Sequence, residues 1–382
     1  MRILVCPDKF KESLSASEAA DYISNGILKV IPEAECKKIP MADGGEGTVE
    51  ALVSITNGRI ITVQVHDPLM RQVKSFFGIS GDGKTAFIEM AAASGMSLLK
   101  VEERNPLATT SYGTGELISA ALNKGCDEII LGIGGSATVD GGTGMAQALG
   151  VEFTDNLRKR IDPVGGNLSN IRHINLSTLD QRIKSCNISV ACDVNNFLTG
   201  QHGAAIIYGP QKGADPSAVK VLEENLIHLS GIILNELNMD IRSIHGGGAA
   251  GGMGAGTVAF LGGKLLNGFD LIAGVVKLEK WIQWADLVVT GEGKMDFQTA
   301  FGKTPAGVAR LAQLHKKSLI ALAGSLGEGA GRLYESGFSA IIPIADRPMT
   351  LKQSFDDAGL LLENAAERTA RILKIGLTHH PH

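Results

Sequence analysis

Four short stretches set carboxylates beside glycine or at the ends of apolar runs: Asp43-Gly-Gly-Glu46, Asp140-Gly-Gly142, Asp193 after Val190-Ala-Cys192, and Gly291-Glu292-Gly-Lys-Met-Asp296. Each alone is an ordinary turn former. Together they are the oxygen donors that Mg²⁺ and phosphoryl transfer require, a chemistry in which a carboxylate also orients or deprotonates the acceptor hydroxyl. Cations must offset the charge on the transferring group, and Lys9, Arg71, Lys294 and Lys303 are the candidates. Lys9 is the best placed, because it lies at the terminus of the first strand-like run. Lys294 and Lys303 read equally well as solvated surface charges.

Two glycine-rich stretches could wrap phosphate oxygens with backbone N–H groups. Gly132-Ile-Gly134-Gly135-Ser136-Ala137 follows an apolar run and matches the dinucleotide pattern G-x-G-x-x-A. It continues through Asp140, Gly141 and Gly142, far past a dinucleotide turn, as a wide nest of N–H groups with a hydroxyl and a carboxylate. The second stretch, Gly246-Gly247-Gly248-Ala-Ala-Gly251-Gly252-Met-Gly254, follows no convincing strand. Tight turns and close helix packing are the alternative for both, but two such loops in one chain suit a polyphosphate. A third match is a decoy. Gly78 to Thr85 satisfies the Walker A pattern, but that loop must open a helix, and Thr85 to Met90 alternates as a strand. Gly81-Asp82-Gly83 is hairpin-turn chemistry instead. The nine histidines are scattered, and neither a nucleophile elbow nor H-E-x-x-H occurs, so hydrolase and zinc readings fall away.

The elements that must position these residues follow from the apolar pattern. Short runs at 3–6, 36–39, 286–289, 318–322 and 340–344 read as five parallel strands alternating with helices, the count of a flavodoxin-like sheet. That α/β domain is assembled from both chain ends, 1–60 plus 282–376, with a mixed α/β domain inserted at 61–281. Ligands of such sheets sit at the carboxyl ends of the strands, and those ends carry Asp8-Lys9, Asp43 and Gly291-Glu292. In the insert, 60–65, 73–79 and 85–90 alternate like antiparallel strands.

Composition supports a folded chain with a small-molecule partner. Of 382 residues 44% are hydrophobic and 20% charged, which excludes disorder. The 48 glycines exceed the usual ~7% without any G-X-Y period, which excludes collagen. A net charge of −4 argues against a nucleic-acid partner, and no apolar stretch approaches the ~18 residues of a membrane span. Five cysteines form no C-x-x-C pair, which with the strand-like N-terminus points to a reduced, cytoplasmic setting.

Several of these stretches resemble the bacterial type 1 glycerate kinase family. The resemblance is carried by Cys6-Pro-Asp-Lys-Phe-Lys-Glu-Ser-Leu-Ser15, Pro40-Met-Ala-Asp-Gly-Gly-Glu-Gly-Thr48, Asp67-Pro-Leu-Met-Arg71 and Glu89-Met-Ala-Ala-Ala-Ser-Gly95. It continues in Gly132 to Gly142, Ala191-Cys-Asp-Val194, Gly246 to Gly254, Thr290 to Thr299 and Gly302-Lys-Thr-Pro305, so it spans nearly the whole chain. Glu12 and Met70 stand where glycines are expected, and Lys294 where arginine is; none removes a candidate ligand. The resemblance implies ATP- and Mg²⁺-dependent phosphorylation of D-glycerate, at the 2-hydroxyl to give 2-phosphoglycerate, by a two-domain α/β enzyme with its site in a cleft. A homo-oligomer is compatible with it. On that basis Gly134, Gly135, Ser136, Asp140, Gly141, Gly247 and Gly248 are assigned to ATP; Asp43, Arg71 and Ser94 to glycerate, with Arg71 clamping its carboxylate. Asp193, Glu292 and Asp296 are assigned to Mg²⁺, Asp193 also as the base, and Lys9 to the transferring phosphoryl group. Two rivals stand beside this. One is a nicotinamide or flavin oxidoreductase of a small hydroxy acid, with Glu152 or Asp155 as the acid that holds the ribose. The other is a nucleotide-binding regulator without catalysis.

Overall fold

Apolar runs bounded by turn residues form, in chain order, strands β1 (Arg2–Val5), β2 (Glu35–Lys38), β3 (Arg59–His66), β4 (Gln72–Ile79), β5 (Thr85–Glu89), β6 (Glu128–Gly132) and β7 (Glu152–Thr154). There follow β8 (His173–Asn175), β9 (Asn187–Ala191), β10 (Lys264–Leu266), β11 (Leu287–Met295), β12 (Ser318–Leu326) and β13 (Ala340–Pro343). The computed structural model describes residues 1–300 and 304–379; Lys303 and the terminal 380–382 lie outside the described residues. The chain divides into two compact units, residues 1–43 with the chain from 269 onward, and residues 44–268.

The first unit is built on an all-parallel sheet in the order β13-β12-β11-β1-β2. Counted along the chain within this unit that is 2-1-3-4-5, the flavodoxin-like order expected from the five apolar runs. Its central strands are apolar on both faces because helices cover both: Ile3, Leu4 and Val5 are fully buried. One covering helix, Ala16–Leu28, begins at a capping box in which the Glu18 amide donates to Ser15 Oγ (3.2 Å) and the Ser15 amide to Glu18 Oε2 (2.9 Å). Its buried Ala19, Ala20, Ile23 and Ile27 pack with Leu362, Ala365 and Ala366 of the helix Ala358–His379.

The second unit carries a six-stranded mixed sheet in the order β10-β9-β6-β5-β4-β3, in which β3 and β4 join antiparallel and β5, β6, β9 and β10 run parallel. The Walker-like segment is the turn of the β4–β5 hairpin, where Ser80 Oγ donates to Asp82 Oδ1 (2.6 Å). No helix follows it. Among the described residues no helix is long and apolar enough to cross a membrane.

Two differences from the sequence reading matter for function. The compact units divide at 43/44 and 268/269, earlier at both points than 60 and 282. The helix Thr48–Ile55 goes with the second unit, where the Val49 amide donates to the buried Glu89 carboxylate on β5 (2.8 Å). Phe269 goes with the first, buried against Gly307. In addition, β11 runs on to Met295 and β12 to Leu326, with Glu292 paired to Ala323, so the glycine-flanked acid is held in a strand rather than a loop.

The glycines at 246–256 serve mainly for packing. Within the helix Ala249–Leu261 the backbone turns left-handed from Ala250 to Gly252, and Gly251 accepts a hydrogen bond from the Gly141 amide (3.0 Å). A Cβ on Gly251, already at φ +71°, would stand 1.9 Å from the Thr138 carbonyl oxygen. Gly251→Ala is therefore expected to destabilise by about 2–4 kcal/mol, from left-handed strain plus overpacking. Gly125→Ala, at φ +85° with nothing within 4 Å, should cost only ~1–2 kcal/mol. Chemical denaturation of the two variants checks this; equal losses would remove the packing explanation.

Candidate active site

At the carboxyl edge of the first unit's sheet, β1, β2 and β11 deliver acids to one place. Asp8 follows β1 and its amide donates to Gly291 O (2.8 Å), tying the turn to β11. Asp43 follows β2, while Glu292 lies within β11 and Asp296 directly after it. A cavity of about 460 Å³ is lined by these four acids together with Lys9, Lys11 and Lys294, and by the apolar Phe10, Phe355 and Leu361. Thr299 braces two of the acids: its Oγ1 donates to Glu292 Oε1 (2.6 Å) and accepts from the Asp296 amide (3.2 Å). Lys294 Nζ lies 3.1 Å from Asp296 Oδ2. Glu292 and Asp296 are each only 7% exposed.

Burial, then the neighbouring Asp43 charge and more weakly Glu292, lift the Asp8 carboxyl from 3.8 to about 7, against hydrogen bonds that oppose the shift. Between about pH 4 and 7 the folded chain thus holds more proton at Asp8 than the unfolded chain. The stabilisation this gives is complete below about pH 4 and is lost as pH rises through about 7. Asp8→Asn should accordingly gain melting temperature relative to the wild type between about pH 5 and 8. Melting curves of both proteins across that range test this, and a constant difference would contradict it.

In the second unit, Asp193 stands exposed just beyond β9, and its Oδ1 accepts from Asn267 Nδ2 (3.0 Å) and the Gly268 amide (2.8 Å). Two N–H donors thus orient a solvent-facing carboxylate at a parallel-strand terminus. Beside β6, Gly134 and Gly135 form an exposed backbone crest, with Gly135 at φ 72°. Ser136, 5% exposed, pairs with Gly95 in an isolated bridge, and the Ala137 amide donates to Ser94 O (2.9 Å).

Several of the candidate ligands turn out to be structural. Asp140 is fully buried and its two oxygens are taken by the Ser111 amide and hydroxyl (both 2.7 Å) and the Gly142 and Gly144 amides (3.2 and 3.3 Å). Burial raises its pKa and those hydrogen bonds oppose the rise. It staples the loop from within and is not turned toward a nucleotide. Gly141, Gly247 and Gly248 are buried in backbone packing; a Cβ on Gly248 would meet Phe197 O at 2.1 Å. Ser94 is fully buried against Thr114 Oγ1 (2.8 Å). Arg71 commits its guanidinium to Asp67 Oδ2 (2.6 Å) and Glu103 Oε1 (2.8 Å), so it closes its own turn instead of waiting for a substrate carboxylate.

The dinucleotide reading loses its second requirement. Glu152 begins β7, which pairs antiparallel with β8, and its Oε2 accepts from Asn175 Nδ2 (2.8 Å). Asp155 caps a turn through the Leu157 and Lys159 amides. Neither closes the next parallel strand, where a ribose ligand belongs.

Asp8, Thr299 and Lys212 complete the picture. Asp8 was visible as a strand-end acid, and Thr299 lay within a motif already singled out. Lys212 gave no signal, since a lysine between Pro210 and Gly213 reads as a surface turn. It is 2% exposed and donates from Nζ to Ser136 Oγ (2.8 Å) and Thr138 O (2.7 Å).

Known proteins match the chain over nearly its full length. The model of the glycerate kinase family matches residues 3–374. The glycerate kinase of Bacillus subtilis (strain 168) is 47% identical over 378 residues, covering 99% of both chains. The glycerate 2-kinase of Escherichia coli (strain K12) is 46% identical over 377 residues, again 99% of both. A crystal structure of a putative glycerate kinase 2 from Salmonella typhimurium LT2 superposes with a TM-score of 0.92 at 45% identity, covering 99% of each chain. The chain belongs to the glycerate kinase family.

Proposed function

We propose that the protein transfers the γ-phosphoryl group of ATP to the 2-hydroxyl of D-glycerate, giving 2-phosphoglycerate and ADP, with Mg²⁺. The observation that carries this reading is the convergence of Asp8, Asp43, Glu292 and Asp296 on one cavity, in a chain that matches the glycerate kinase family from residue 3 to 374.

The donor set fits Mg²⁺. It is all oxygen, and a divalent cation relieves the repulsion from Asp43 and Glu292 that adds to burial in lifting Asp8. Among the described residues no three His, Cys, Asp or Glu side chains are grouped so as to hold a metal by themselves. Mg²⁺ in phosphoryl-transfer sites is commonly bound through one or two carboxylates with water and substrate phosphates. Glu292 and Asp296 would hold it, braced by Thr299; when bound, it would neutralise developing charge on the phosphates.

The chain's own residues supply the rest. Asp193 takes the proton of the glycerate 2-hydroxyl as that oxygen bonds to γ-phosphorus, and the bond from γ-phosphorus to the bridging oxygen breaks to release ADP. Lys9 offsets charge on the transferring group, and Asp43 accepts a hydrogen bond from a glycerate hydroxyl. The N–H groups of the exposed residues Gly134 and Gly135, with the Ser136 hydroxyl, take phosphate oxygens. A coupled ADP-release assay tests the reading: release should require both D-glycerate and Mg²⁺, and equal release without D-glycerate would refute it.

A further inference from the structure

None of these roles accounts for Lys212. It ends the one-turn helix Pro210–Lys212, and Gly213, at φ 96° and packed on the Arg104 carbonyl, turns the chain behind it. The side chain runs inward until its ammonium reaches Ser136 and Thr138. Both acceptors are neutral and both belong to the stretch that continues from the exposed Gly134–Gly135 crest. Asp140 is the acid whose charge Lys212 feels, but its oxygens are already held by four N–H and O–H donors, so no ion pair forms between them. A buried ammonium without a paired carboxylate is costly to desolvate. In a loop whose Gly134–Gly135 crest is exposed to solvent, the charge is well placed for an anion.

We propose that Lys212 is the buried cation that makes the Gly134–Thr138 loop a site for phosphoryl oxygens, acting through Ser136. The ammonium donates to Ser136 Oγ and occupies a lone pair there. The hydroxyl hydrogen of Ser136 is then directed away from Nζ and can be donated to an anionic oxygen at the crest, with its donor strength raised by the charge behind it. Lys212 is thus a positioning residue for the phosphoryl donor. The proposal rests on the reading that ATP is that donor.

The protonation balance of Lys212 supports this. Burial lowers its pKa from 10.5 to about 7, opposed by the Asp140 charge. Near neutrality both forms are therefore populated. In the amine form Nζ can accept the Ser136 hydrogen, which turns the hydroxyl inward. An anion at the crest favours the ammonium form, so binding takes up a proton. Uptake is greatest above about pH 7, where the unliganded chain holds the amine, and disappears well below it, where the ammonium is already formed. Asp140 on the loop is the charged group that acts on Lys212, and the Arg104 backbone packs against Gly213. Ser136 and Thr138 do not titrate in this range.

Calorimetric titration of the full-length chain with MgATP, at about pH 8 and in two buffers of different ionisation enthalpy, measures the proton uptake directly. The wild type should take up a sizeable fraction of one proton and Lys212→Met close to none. Turnover should show kcat/KM for ATP lowered about 10–100-fold in Lys212→Met, the scale of a hydrogen bond to a charged group. Ser136→Ala should lose a similar factor, and the double variant little more. If Lys212→Met does not fold, Ser136→Ala carries the test, because it removes only one oxygen. Unchanged kcat/KM in both variants overturns the proposal, as does lost affinity with undiminished proton uptake, which would leave Lys212 a packing role only. Either result leaves the kinase reading standing, provided the wild type phosphorylates D-glycerate. A wild type that neither binds MgATP nor phosphorylates D-glycerate overturns both.

Discussion

Replacing Asp193 by Asn should lower kcat by about 10²–10⁴-fold, the range over which a positioned general base contributes. The substitution keeps shape and keeps an oxygen for the Asn267 and Gly268 donors, so the local structure beyond β9 should persist. What it removes is the capacity to accept the hydroxyl proton. An interaction made only in the transition state reduces kcat and kcat/KM together, so KM for ATP should stay within about threefold of the wild type. Steady-state kinetics over both substrates separate these quantities. A rise in KM for ATP with kcat preserved would remove Asp193 from proton transfer and make it a binding residue. Near-normal turnover would remove it from the site.

Assigning Mg²⁺ to Glu292 and Asp296 carries the second large effect. Glu292→Gln leaves volume and the Thr299 contact nearly intact but takes away the charge. Loss of a residue that merely supports a metal ligand commonly costs about 10–100-fold in metal affinity, and loss of a ligand's charge should cost no less. The Mg²⁺ concentration for half-maximal rate should therefore rise by at least about tenfold in Glu292→Gln. Thr299→Val, which breaks the 2.6 Å bond to Glu292 Oε1, should show a smaller shift in the same direction. Binding gives a readout apart from turnover, since MgADP should raise the melting temperature of the wild type more than that of either variant. Identical Mg²⁺ dependence in all three proteins would move the metal away from β11.

Much of the first unit was legible because its signals are local. Five apolar runs with helical periodicity between them specify a parallel sheet, and the acids at the strand ends follow from where those runs stop. The strand count follows from those runs, whereas the reach of β11 does not. Gly291, Gly293 and Lys294 have weak strand propensity, and only pairing with β12 through Met295 and Leu326 carries the strand that far. The second unit hides its logic in long-range partners. An aspartate between a valine and two glycines looks alike in sequence whether its carboxylate faces a ligand or the interior. For Asp140 the answer lies with Ser111, 29 residues away. Arg71 looked like a free guanidinium because Glu103, which takes one arm of it, is 32 residues on. The glycine clusters divide by the same rule. Gly134 and Gly135 are exposed, whereas Gly141, Gly247 and Gly251 let backbones approach closely, and composition does not distinguish the two uses.

The most direct test of the central claim is proton-coupled phosphorus NMR of the product formed from D-glycerate, ATP and Mg²⁺. A phosphate ester on the secondary 2-oxygen has one proton on the adjoining carbon and gives a doublet; on the primary 3-oxygen it has two and gives a triplet. The phosphorylated product is expected as a doublet alongside ADP. A triplet would contradict transfer to the 2-hydroxyl, and the absence of any new phosphate ester would contradict phosphorylation of D-glycerate itself.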